Sequence, residues 1–335
     1  IKNNENLKYY NEYGGFSPDG KAYLIKVSKT EKLPTVWSHI MANESFGTVI
    51  TENMGGYSWY KNSRLNRVSS WENNASLDIP SEIIYLKDLE TKNAWSLGLN
   101  PMPDNRNYNV IYGLGYCKYV HKSPGIEQEF EMYVPNEDSC KIGILTLKNT
   151  TPNRKKLKLF YYIKPVIGED EIKTTGKIEV KLDKNNNMVY ANNLYKTEGI
   201  ENNVYISCSE KIESFTGDKS YFMGTGGISN PQAIKIERLN NSNGLGKNTC
   251  IAYEIEIEIE NFGTKEISIV LGAEDSIIDC KNTAYKYSKI ANCKQELLAC
   301  KNYWKEMLRT TSGIYAIRIY EYNVKWVDSI SNISK

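Results

Sequence analysis

The 335-residue chain has no stretch approaching ~18 consecutive apolar residues, so its sequence offers no membrane-spanning helix. Histidine is scarce, with only His39 and His121. Nothing in the sequence identifies a carboxylate that would orient either ring, so no nucleophilic triad is legible and no catalytic residue is assigned. The seven cysteines are odd in number, and no two stand in C-x-x-C spacing. That spacing argues against zinc and redox motifs; neither a metal nor a resident cofactor is expected. An excess of one charge sign is missing too. With 42 basic and 40 acidic residues the formal net charge is +2, which argues against a nucleic-acid groove or an anionic membrane surface as the main partner. The Gly55–Gly56 and Gly224–Gly227 clusters carry neither a P-loop lysine nor a dinucleotide fingerprint and read as turns. Ile1 to Tyr10 lacks the apolar core of a signal peptide. Together with the odd cysteine count this suggests a reducing compartment, and a cytoplasmic location is expected.

What is present is a globular composition, with 40% hydrophobic and 24% charged residues. The 25 tyrosines and 6 tryptophans suit half-buried sheet faces and also suit sugar-binding clefts. Short alternating segments separated by Gly, Asn, Asp or Pro dominate. Strands are expected at 21–27, 46–51, 82–86, 108–120, 127–134, 141–147 and 155–163. Others are expected at 177–182, 203–209, 232–238, 249–260 and 266–271. So many strands without intervening helices predict a mainly β, antiparallel two-sheet sandwich. In 253–260, Tyr253, Ile255, Ile257 and Ile259 alternate with four glutamates. Period two puts the carboxylates on one face, read as a solvated outer surface. From 284 to 308 the period becomes helical: Cys293, Leu297, Cys300, Trp304 and Leu308 form an apolar stripe. Unless the helix folds back, that stripe is expected to drive self-association.

One segment is chemically denser than the rest. Trp37 to Asn74 holds three of the six tryptophans, many amides and hydroxyls, and both Arg64 and Arg67. Only seven of the 42 basic residues are arginine, so two of them three apart stand out. A guanidinium forks onto hydroxyls, carboxylates or phosphate in a way an ammonium cannot. The candidate substrate-binding residues are Tyr57, Trp59, Asn62, Arg64, Asn66, Arg67 and Trp71. Two readings stay open: a polyol site, or an internally hydrogen-bonded loop whose arginines satisfy backbone carbonyls.

At these residues the sequence resembles a known family. The matching stretches are Tyr13 to Gly20 (YGGFSPDG), Trp37-Ser38, Ala42-Asn43, Phe46-Gly47, Gly56 to Trp59 (GYSW) and Asn62 to Arg67 (NSRLNR). Trp71, Asn73, Ser214 to Lys219 (SFTGDK), Tyr221 to Gly224 (YFMG) and Pro231 follow. The chain looks like the N-terminal domain of the cellobiose and chitobiose phosphorylases, and like the phosphorylase-like region of cyclic β-1,2-glucan synthases, in glycoside hydrolase family 94. The likeness runs from about residue 9 to Leu308. It implies a β-supersandwich related to the galactose-mutarotase fold, followed by a helical linker and then an (α/α)6 barrel. In the family, that barrel carries the general acid and most of the phosphate site for inverting phosphorolysis of a β-glucoside. Lys219 stands where the family usually has arginine, which weakens a bidentate role there.

The resulting expectations are a carbohydrate-associated supersandwich over 1–275, a helical linker over 276–310 and a divergent or truncated tail over 311–335. The resemblance implies a non-catalytic N-terminal domain of a glycoside phosphorylase or glucan synthase. Its expected partners are a β-glucoside or oligosaccharide, a catalytic barrel in cis or trans, and a second copy in a homodimer. Inorganic phosphate would be the co-substrate of the whole enzyme. The alternatives are a free-standing carbohydrate-binding protein, or a mutarotase-like epimerase, which would need His39 or His121 to face a carboxylate in the concave sheet.

Overall fold

The computed structural model describes residues 6–74, 76–195 and 203–310. Alternation of apolar and polar residues builds three antiparallel sheets. The largest has ten strands in the order β1 (Gly14–Phe16), β2 (Ala22–Val27), β9 (Tyr108–Gly113), β10 (Tyr116–Ser123), β11 (Ile126–Tyr133), β12 (Cys140–Asn149), β20 (Thr264–Glu274), β17 (Asn203–Cys208), β16 (Met188–Asn193) and β15 (Ile178–Asp183). A five-stranded sheet runs β18 (Ile212–Asp218), β19 (Thr249–Ile259), β13 (Lys155–Ile163), β7 (Glu82–Asp88) and β8 (Ala94–Ser96). Another runs β14 (Pro165–Gly168), β6 (Arg67–Ser69), β5 (Gly56–Tyr60), β4 (Phe46–Thr51) and β3 (Ser38–Ala42). The mainly β, antiparallel fold expected from the sequence is borne out. The layer facing the large sheet is itself divided in two, and the chain passes between its halves at Lys164, from β13 into β14.

One core fills the space between the layers. Phe130, Leu145 and Ile267 of the large sheet meet Leu157, Leu159, Ile255 and Ile257 of one smaller sheet and Phe46 and Ile50 of the other. The alternation read in 253–260 therefore holds, with one correction. Glu256, Glu258 and Glu260 are exposed and engage Lys158, Arg154 and Lys156, but Glu254 is fully buried. Its carboxylate accepts from Ser214 Oγ at 2.7 Å and lies 3.4 Å from Lys158 Nζ.

Other expectations are revised. The single strand expected over 108–120 is the β9–β10 hairpin, turned at Gly115 with φ +76°. Residues 232–238 form no strand. After Pro231 a 3-10 turn spans Gln232–Ile234, and its Ala233 and Ile234 pack with Phe222 on the outer face of β7 and β13. Two helices replace the one expected, α3 (Ile277–Tyr287) and α4 (Ile290–Thr310). Shorter helices are α1 (Glu171–Thr174) and α2 (Lys219–Met223). The N-cap Ser276 accepts from Asp279 N at 3.1 Å, and Lys286 lies in the last turn, so both ends of α3 suit the helix dipole.

The apolar stripe folds back rather than standing free. Cys280, Ala284, Tyr287, Cys293, Leu297 and Cys300 pack against Tyr133, Ile142, Ile144 and Val270 on the outer face of the large sheet. Tyr133 Oη donates to Cys293 O at 2.6 Å, and Ser268 Oγ donates to Tyr287 O at 2.6 Å. All seven thiols are unpaired and buried, and burial pushes Cys300 up to about 11 and Cys293 up to about 12. They act as small apolar groups. Trp304 lies against Gly115, where an added Cβ would sit 2.1 Å from its ring. Among the described residues no helix is long and apolar enough to cross a membrane. Trp304 is half-buried, so Trp304→Ala should cost on the order of 2 kcal/mol in a urea titration and speed amide exchange in the last turns of α4. Unchanged stability would show that the helix is not held on the sheet.

Candidate functional site

The segment 56–73, expected as a loop, is two strands and a turn in the third sheet. It begins from a fixed corner. Thr51 Oγ1 donates to Asp78 Oδ2 at 2.6 Å and accepts from Gly55 N at 2.7 Å, so the Met54–Gly56 turn is held at its root. Beside it the buried Glu52 accepts from Trp37 N at 2.9 Å and from Asn53 Nδ2 at 2.9 Å. Gly56, at φ +97°, starts β5. Period two then separates the side chains. Ser58 and Tyr60 face inward, while Tyr57 and Trp59 take the opposite face. Gly47 on β4 lies directly beneath Trp59, and an added Cβ would meet the indole at 2.1 Å.

On this outer face the aromatic candidates come together. Tyr57 and Trp71 stack with centroids 4.8 Å apart and planes 11° apart, and Trp59 lies 5.4 Å from Tyr57. Arg67 pairs with Trp59 across the strands and sets its guanidinium 5.7 Å from the Tyr57 ring. Its Nε is buried without a hydrogen-bond partner among the described residues. Burial pushes the Tyr57 phenol up, and the Arg67 cation works against that shift. Arg64 is elsewhere. Asn62 Oδ1 accepts from Arg64 N at 3.0 Å and from Leu65 N at 2.8 Å, an Asx turn that holds Arg64 exposed at the hairpin tip. Its guanidinium contacts no described carbonyl. Asn66 is buried, and its carbonyl accepts from Tyr60 N at 3.1 Å. The structure thus gathers Tyr57, Trp59, Arg67 and Trp71 into one wall and leaves Asn62, Arg64 and Asn66 to form the turn beside it. Lys61, with its Nζ 2.6 Å from Asp275, ties that turn to the start of α3.

Three further residues extend the wall, and no local sequence signal marks two of them. Lys164, at the passage between the smaller sheets, lies 2.9 Å from Glu171 and 3.7 Å from Glu72. Ser70 Oγ donates to Glu171 at 3.1 Å. Lys219, from the SFTGDK stretch, lies near enough to feel the charges of Lys164, Glu171 and Glu72. Burial and the neighbouring Lys164 cation hold its ammonium below its ordinary value, opposed by Glu171 and Glu72. Asp218 beside it accepts from Tyr221 N at 3.1 Å as the cap of α2. Against the effect of burial, Lys247 at 2.5 Å helps hold its carboxyl low.

The two histidines lie apart from this wall. Burial takes His39 down to about 4, and its ring stacks on Tyr112. His121 does face a carboxylate, with Nε2 2.9 Å from Asp104 Oδ2, but the side chain is fully buried and stacked 3.8 Å from Tyr108. Ser123 approaches the same nitrogen at 3.2 Å, and Nδ1 lies 2.9 Å from Asn107 O. The imidazole therefore does not relay between Ser123 and Asp104 as a triad requires.

Known proteins match this architecture. The model for "Glycosyl hydrolase 94, supersandwich domain" matches residues 21–290. The chain is 26% identical over 277 residues to the cyclic beta-(1,2)-glucan synthase NdvB of Rhizobium meliloti (strain 1021), covering 81% of this chain and 10% of that protein. It is 24% identical over 303 residues to the N,N'-diacetylchitobiose phosphorylase of Vibrio furnissii, covering 88% of this chain and 37% of that one. A bacterial glucoamylase solved with acarbose superposes with TM-score 0.52 at 10% identity, covering 86% of this chain and 41% of that structure, a likeness of fold alone. The chain spans 10% and 37% of the lengths of the glucan synthase and the chitobiose phosphorylase.

Two predictions follow from the wall's construction. Burial, reinforced by the Asp78 carboxylate, raises Glu52 from its ordinary 4.5 to about 8. The folded chain keeps a proton there that the unfolded chain releases. The associated stability is complete below pH 4.5 and is lost as pH rises through about 8, at up to about 1.4 kcal/mol per pH unit. Glu52→Gln should flatten that decline in denaturant titrations run across this range, and an unchanged slope would refute the assignment. Arg64→Ala should move stability by less than about 0.5 kcal/mol, whereas Arg67→Ala should cost about 1 kcal/mol through the lost ring contact. Equal effects would contradict the separation of the two arginines.

Proposed function

The chain belongs to the glycosyl hydrolase 94 supersandwich family, and on that premise we propose that it is the non-catalytic, carbohydrate-associated N-terminal domain of a glycoside phosphorylase or cyclic β-1,2-glucan synthase. The wall of Tyr57, Trp59 and Trp71, with Lys164 and Lys219 at one end, forms one side of a β-glucoside site. A catalytic barrel, in cis or in trans, forms the other side and supplies the general acid and phosphate contacts.

The observation that carries this reading is the convergence of 56–73 and 214–224. They lie some 150 residues apart in sequence, yet both come within electrostatic reach of Lys164 and Glu171. Core packing needs aromatic rings, but it does not need lysines and carboxylates gathered beside a half-exposed indole. Ring faces suit the C–H faces of a pyranose, and the charged groups suit its hydroxyls. The exposed Arg64 adds a free guanidinium on the same hairpin, suited to a ligand or to an acidic group of the partner domain.

Purified chain mixed with a β-linked gluco-oligosaccharide and inorganic phosphate should release no sugar 1-phosphate above the blank. In the same samples, millimolar oligosaccharide should shift the indole resonances of Trp59 and Trp71, and Trp71→Ala should abolish the shift on Trp59. Release of sugar 1-phosphate by the wild-type chain would overturn the non-catalytic assignment. Unmoved indoles would overturn the sugar-facing wall.

A further inference from the structure

We propose that the outer edge of β15, together with the 241–243 segment packed along it, carries a second carbohydrate-binding groove that takes a neutral oligosaccharide. This proposal stands on residues other than those of the β5–β6 wall. β15 is the last strand of the large sheet. An open groove of about 440 Å³ follows it, within the size range of small-molecule sites. Tyr190, Lys181 and Glu179 line it from one face of the sheet, and Phe215, Asn241 and Asn243 line it from the other side of the strand.

The polar groups select the ligand. Asn241 Oδ1 accepts from Phe215 N at 3.2 Å, and Asn243 Oδ1 accepts from Leu245 N at 3.3 Å. Both amide oxygens are therefore committed to backbone, and the two exposed NH2 groups, with no partner among the described residues, remain as donors along the groove. Glu179 is paired with Lys181 at 2.7 Å, and neighbouring Asp183 is engaged by Lys281 at 3.1 Å. Lys184 is the one lining cation without a described carboxylate, so beyond these pairs the lining carries a single exposed positive charge and no cluster that would select an anion. Amide donors, a paired carboxylate acceptor and the half-buried Tyr190 ring match hydroxyls on a ring with apolar C–H faces.

An extended peptide fits worse. Strand addition needs a run of unpaired edge N–H and C=O groups. Here Val180 N already donates to Asn243 O at 2.9 Å, so the edge is closed at its centre.

The test is a titration of the full chain with cellotetraose and with sophorotetraose, read by amide chemical shifts. The expected result is a saturable shift at Tyr190, Asn241 and Asn243 at millimolar ligand. Asn241→Asp and Asn243→Asp keep the Oδ1 acceptor and remove the donor, so they should weaken binding about tenfold with unchanged melting temperature. Tyr190→Ala should weaken it similarly. Trp71→Ala should leave this groove's shifts intact, which separates its fate from that of the β5–β6 wall. Unmoved resonances at the groove, unaltered affinity in both Asp variants, or loss of the groove's shifts in Trp71→Ala would each overturn the proposal.

Discussion

The architecture depends on one buried ion pair. Lys141 of β12 and Glu82 of β7 meet between the layers, each side chain about one-tenth exposed. Glu82 Oε1 also accepts from Ser58 Oγ at 2.7 Å and from Ser69 Oγ at 2.6 Å, and Thr48 Oγ1 lies 3.1 Å from Ser58 Oγ. These residues come from all three sheets. A buried pair carries a desolvation cost that only near-complete hydrogen bonding offsets, so it is weak evidence for stability and better evidence for specificity. A one-residue slip of β5 would remove Ser58 from Glu82 and turn Tyr57 and Trp59 inward. The pair thereby sets which face of the hairpin looks outward. A cavity of about 30 Å³ lies against it, bordered by Tyr57, Gly56 and Tyr161, so the aromatic wall and the junction share one neighbourhood.

Much of the fold was legible because half-buried strands must alternate. Segments 141–147, 155–163 and 249–260 read cleanly, since each buries one face in the common core. The shorter strands β5 and β6 were hidden by glycine, asparagine and arginine within and between them, residues that also make loops. Residues 232–238 misled in the opposite sense. QAIKIER alternates as a strand does, but Ala233 and Ile234 are apolar because they cover the outer face of a sheet, not because they pair within one. The break between α3 and α4 had no proline or glycine to announce it.

The candidate site was legible in part. Aromatic and amide density marked the hairpin, and the resemblance marked SFTGDK. Spacing could not separate Arg64 from Arg67, because one ends in a turn and the other in a strand three residues later. Lys164 and Glu171 were invisible for a different reason. They matter only where β13 crosses into β14, a long-range fact that a local pattern does not carry.

The central claim is that the Lys141–Glu82 junction fixes the hairpin that presents the wall. Native-state amide exchange on Lys141→Met tests it most directly. The account predicts that β5 and β6 lose protection sharply while the distant β9–β10 hairpin keeps its own. Protection that falls evenly across the molecule, or not at all in β5 and β6, would contradict it.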